Sequence, residues 1–117
     1  MVDFLPIRPE RLVMIQKETD KDEVLQMLQT MILSGWSDHV SEIPSVLKPY
    51  YCIRDKFSVQ NGLIFKGERV VVPLELRQFV MKVIHSSHIG IESCLRRAHE
   101  CVYWPCMNSD IKQFITK

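Results

Sequence analysis

This chain has no apolar run near the ~20 residues that cross a bilayer, so no membrane span or membrane partner is expected. Its first residues, MVDFLPIRPERL, lack a basic stretch followed by an apolar one, and a secretory signal is not expected either. Charge of one sign is also scarce, with 15 Lys and Arg against 14 Asp and Glu. Residues 1–73 hold nine Lys/Arg and ten Asp/Glu, and residues 74–117 hold six and four. A dedicated nucleic-acid binder shows a basic patch or stripe, so charge alone argues for no such partner. There is no phosphate-binding loop, nucleophile elbow, metalloprotease helix or paired-carboxylate constellation, and neither catalysis nor a small-molecule substrate is expected. Repeats and low-complexity tracts are missing too.

Cysteine is present without its usual chemistry. Cys52, Cys94, Cys101 and Cys106 include no Cys-x-x-Cys pair, the spacing of zinc knuckles and redox motifs. Without a secretory context these are expected to be reduced thiols, and Cys94, on an apolar helix face, a small buried hydrophobe. What remains is an ordinary intracellular, globular composition: 46% hydrophobic and 25% charged over 117 residues, enough for one small core or two subdomains.

The patterning divides the chain. Residues 1–18, with Pro6, Pro9 and an alternation around Leu12 and Met14, read as an extended lead-in with a possible edge strand. Val24, Leu25, Leu28, Met31 and Ile32 predict a helix over about 20–33, capped by Thr19 or Asp20 and stopped at Gly35. A polar turn over 36–44 leads to a short helix near 46–53, with Pro49 in its first turn. Phe57 to Val72 carries strand signals broken by Asn61-Gly62 and Lys66-Gly67-Glu68, which predicts a small antiparallel ribbon. Beyond Pro73 the period becomes helical. Leu76, Phe79, Val80, Val83 and Ile84 form one face, and Ile91, Cys94, Leu95 and Ala98 form another after Gly90. Ile111, Phe114 and Ile115 mark a third helix from about Asn108 or Ser109. Three helices of this length hide little apolar surface, so a metal, a partner or more chain is expected.

His85 and His88 stand three apart at a helix end, a spacing that lets both rings face one point. Read alone, they are two zinc ligands of the four a closed site needs, or else two helix-end residues favoured by the helix dipole. Around them the order is His85, His88-Ile89-Gly90, the Leu95-Arg96-Arg97-Ala98 helix, Tyr103-Trp104-Pro105 and a last helix over 110–117. This order resembles the zinc-binding (His2Cys2) domain of integrases from gypsy-type retrotransposon Pol polyproteins. Residues 1–73, with "LPIRPERL", Gly35-Trp36 and "RDKFSVQNGLIFKGERVVVP", resemble the segment joining ribonuclease H to integrase.

The resemblance implies a fold that is mainly α with a small antiparallel β ribbon. A linker with helix and ribbon (1–73) would precede an incomplete three-helix HHCC-like module (74–117). It implies zinc held by His85 and His88 together with a Cys-x-x-Cys that would begin just after Lys117, so zinc is expected to bind weakly or not at all here. It also implies a non-catalytic, truncated integrase fragment supporting assembly and DNA binding, partnered by the rest of the integrase or Pol polyprotein, with a nuclear location. Arg96, Arg97 and Lys112 are the candidate phosphate contacts. Cys101 and Cys106 make an unusual substitute ligand pair, Cys106 standing at a turn position where the family more often has Gly. Trp104 is expected to plug the helical core. The alternative function is a domesticated, metal-free helical adaptor for another protein.

Overall fold

Leu12, Ile15 and Thr19 follow the three- and four-residue steps of a helix, and all three are buried. The computed structural model, which describes residues 9–85 and 90–116, has a helix here, α1 (Pro9–Lys21). The extended lead-in expected over residues 1–18 is thus corrected from residue 9 onward; residues 1–8 lie outside the described residues. The apparent alternation around Leu12 and Met14 is the edge of a helical stripe. Pro9 occupies the first helical position, where its missing N–H costs nothing.

The second helix, α2 (Glu23–Ser34), begins later than its periodicity predicts. Thr19 and Asp20 belong to α1, and the cap is Asp22, whose carboxylate accepts from the Leu25 N–H at 3.1 Å. Leu25 and Leu28 are buried, and Gly35 ends the helix with φ 101. Short 3-10 turns at Val40–Glu42 and Ser45–Leu47 lead into α3 (Lys48–Tyr51), with Pro49 in its first turn as expected.

The ribbon forms as predicted. Strands β1 (Phe57–Gln60), β2 (Leu63–Lys66) and β3 (Arg69–Val71) pair antiparallel. Asn61 (φ 53) and Gly62 (φ 77) fill the two central turn positions, both left-handed as a tight hairpin demands. That turn is pinned by both helices: Gln16 donates to the Asn61 carbonyl, and Gln29 Nε2 to the Gly62 carbonyl at 3.1 Å.

Residues 74–117 supply α4 (Arg77–His85), α5 (Ile91–Cys101) and α6 (Met107–Thr116). They also supply a strand with no periodic signal. β4 (Val102–Tyr103) lies parallel to β3, Val70 opposite Val102 and Val71 opposite Tyr103, and the Val72 N–H bonds the Tyr103 carbonyl at 3.0 Å. The ribbon is therefore a four-stranded sheet, β1-β2-β3-β4.

Both faces of this sheet are covered, which explains the unbroken Val70-Val71-Val72 run. Leu63, Phe65, Val70, Val72 and Val102 face α1, α4, α5 and α6. Ile64 and Val71 face Leu25, Leu28, Leu47 and Tyr50. The first cluster takes residues from both sides of Pro73. Within α4 the buried residues are Met81 and Ile84, while Phe79, expected to face inward, is 38% exposed. The apolar face expected of α4 is wider than the strip the core accepts, and Phe79 sits at its edge.

Candidate metal and nucleic-acid site

Trp104 organises the region. It is fully buried, as the Trp-Pro turn predicts, and sits among Val72, Met81, Cys94, Ala98 and Ile111. Its Nε1 donates to Asp110 Oδ2 at 2.9 Å, so the indole's polar atom is satisfied inside the core. Arg77 packs near the ring face, its Cζ 5.9 Å from the centroid. After the turn, Cys106 adopts φ 64, the left-handed region that favours glycine, which agrees with its reading as a turn residue.

His85 closes α4 and is half-buried, its ring meeting Phe114 of α6 edge-on with centroids 6.0 Å apart. His88, the second expected ligand, lies outside the described residues. Cys94 and Cys101 are buried on α5, and Cys101 Sγ donates to the Arg97 carbonyl at 2.9 Å. Burial pushes both thiols upward, and for Cys101 the Glu100 carboxylate adds to the effect. A thiol held neutral in the core is a poor metal ligand, since zinc takes the thiolate. Cys106 is exposed while Cys101 is buried, so that pair does not form a substitute donor set. Among the described residues no group of three or more His, Cys, Asp or Glu is placed to hold a metal ion. The donors described here do not fit a zinc ion on their own.

Arg96 and Arg97 are exposed on α5 and Lys112 is exposed on α6. Arg97 also borders a groove of about 460 Å³ between α1, α4 and α5, with Arg11, Phe79, Val80 and Val83 along its walls. This groove escaped the sequence reading, although the surplus width of the α4 apolar face was its signal. His99, beside Cys101 in sequence, turns away to Asn108, with Nε2 and Oδ1 2.6 Å apart. A Cys–His dyad is not assembled here.

Comparison with known proteins agrees with this architecture. Residues 72–117 match the family described as the integrase zinc binding domain. That stretch begins on the last core valine before Pro73 and contains α4, α5, β4 and α6. A Caenorhabditis elegans protein described as Uncharacterized protein K02A2.6 is 28% identical over 102 residues. The match covers 86% of this chain but 8% of that protein, so the chain spans less than a tenth of its relative. Residues 72–117 are thus similar to an integrase zinc binding domain, and in the structure this stretch is joined through the sheet to a helix-and-ribbon segment.

Proposed function

We propose that this chain is a non-catalytic segment of a retrotransposon integrase, of the kind encoded within a Pol polyprotein. Its residues 72–117 would support integrase assembly and DNA binding in the nucleus. The observation that carries this reading is the family match over residues that also form one packed helical unit around Trp104. His85 and His88 would give zinc two of its four ligands, and the sequence holds no Cys-x-x-Cys to complete the set. Zinc, where bound, would supply folding energy to the helices. Arg96, Arg97 and Lys112 would meet DNA phosphates.

The test is a zinc titration of this chain beside a version extended by a Cys-x-x-Cys segment after Lys117. The extended version should bind far more tightly, and equal affinity would show the ligand assignment to be wrong. Replacing His85 and His88 by alanine should abolish the difference between the two.

A second reading, a metal-free helical adaptor, rests on the groove walled by Phe79, Val80 and Val83. It predicts that neither version binds zinc while the native chain melts cooperatively without metal.

A further inference from the structure

Hairpin register brings two cations face to face. β2 and β3 are joined through Gly67 and Glu68, and Lys66 pairs directly with Arg69. Like charges directly opposite on paired strands repel, an arrangement that costs stability unless something else compensates. Both side chains also gather on one aromatic ring. Lys66 Nζ lies 4.6 Å from the Tyr103 centroid and Arg69 Cζ lies 5.3 Å from it. Tyr103 reaches this spot because β4 pairs with β3, so the cluster joins the ribbon to the zinc-binding-type region.

The guanidinium is held in advance. Arg69 Nε donates to the Val102 carbonyl at 2.9 Å, which fixes the plane of the fork and leaves its terminal amino groups outside that bond. Lys56, exposed beside the start of β1, adds a third positive charge. Burial is the first cause of a lowered Lys66 pKa, followed by Arg69 and then Lys56, so both charged groups acting on this ammonium are cations. Glu68 and Asp55 are close in sequence, yet among the described residues the ion pair is Lys21 with Glu18.

We propose that Lys66 and Arg69, gathered on Tyr103 at the end of the sheet, together with Lys56 beside Lys66, bind the backbone phosphates of a nucleic acid. A phosphate's tetrahedral oxygens can meet a guanidinium fork and an ammonium together, whereas one carboxylate is satisfied in a single plane by the fork alone. Successive phosphates along a strand would bring a second group within reach of Lys56. This site draws on cations of the ribbon rather than on the α5–α6 arginines and lysine, and it requires no zinc.

The experiment is a fluorescence-anisotropy titration of the 117-residue chain with a labelled, mixed-sequence DNA duplex across a salt series. The K56Q/K66Q variant removes two ammonium groups that make no hydrogen bond among the described residues. It should bind roughly 50-fold more weakly near 0.1 M salt, and the slope of log affinity against log salt should shrink by about 2. The same drop should appear when K56Q/K66Q is combined with R96Q/R97Q/K112Q, which separates this site from the α5–α6 face. Arg69→Lys keeps the charge but loses the fork, and should weaken binding to a smaller degree. Thermal melting of K56Q/K66Q should match or exceed the native chain, because repulsion is relieved. An unchanged affinity and slope in K56Q/K66Q, no DNA binding by the native chain, or a markedly lower melting temperature for the variant would each overturn the proposal. So would competition by a poly-glutamate peptide as effective, charge for charge, as the duplex.

Discussion

The indole Nε1 of Trp104 donates to Oδ2 of Asp110 at 2.9 Å, joining the Trp-Pro turn to the first turn of α6. The carboxylate thus satisfies a donor that is wholly withdrawn from water and also places negative charge near a helix N-terminus. Removing either partner should be felt differently. Asp110→Ala leaves the indole N–H buried and unpaired, and should cost about 1–3 kcal/mol. Trp104→Ala empties the centre of the core and should cost about 3–5 kcal/mol. Urea unfolding of both variants checks the order; an Asp110→Ala midpoint equal to native would mean that solvent reaches the indole.

Asp22 makes a longer connection. One carboxylate oxygen caps α2 through the Leu25 N–H, and the other accepts from the Leu74 N–H at 3.2 Å, 52 residues away. Asp22→Ala should therefore destabilise by more than the ~1 kcal/mol typical of a lost cap. Asp22→Ser, which can still cap, should recover part of that loss in chemical denaturation. Complete recovery by serine would show that the Leu74 bond contributes nothing.

Cys106 sits at φ 64, where a side chain is strained and glycine is not. Cys106→Gly should raise stability by about 1 kcal/mol, less whatever the freer unfolded chain takes back. The same variant should leave zinc affinity unchanged. A loss of metal binding would instead make this thiol a ligand.

The four thiols should separate into two classes. Cys52 and Cys106 are exposed, whereas Cys94 and Cys101 are buried with their pKa values raised by that burial. Brief alkylation near neutral pH, read by peptide mass spectrometry, should label the first pair and spare the second until denaturant is added. For the buried pair the thiolate fraction grows only above the ordinary thiol range, so raising pH should expose no early reactivity. Rapid native labelling of Cys101 would mean that α5 opens locally.

Local signals were legible where chemistry and periodicity agree within a few residues. Asn61-Gly62 between apolar runs specified the first hairpin, and Leu25 and Leu28 specified the buried stripe of α2. Cys94 and Ala98 marked the inner face of α5, and Trp104-Pro105 its core plug. The reading failed where two periods overlap. Leu12 and Met14 suggest alternation, but Ile15 and Thr19 complete a helical stripe and α1 follows it. The cap of α2 was misplaced because Thr19, Asp20 and Asp22 are all competent caps, and only the packing of α1 selects among them.

The sequence by itself determined that residues 74–117 form short amphipathic helices around an aromatic turn, and that a ribbon precedes them. Those properties depend on neighbours within one or two turns. Tertiary structure alone decided that Val102-Tyr103 becomes a parallel strand, that Asp22 reaches Leu74, and that Lys66 and Arg69 share the Tyr103 ring. A two-residue strand has too little length to show a period, and contacts between distant residues exist only after the chain has closed on itself.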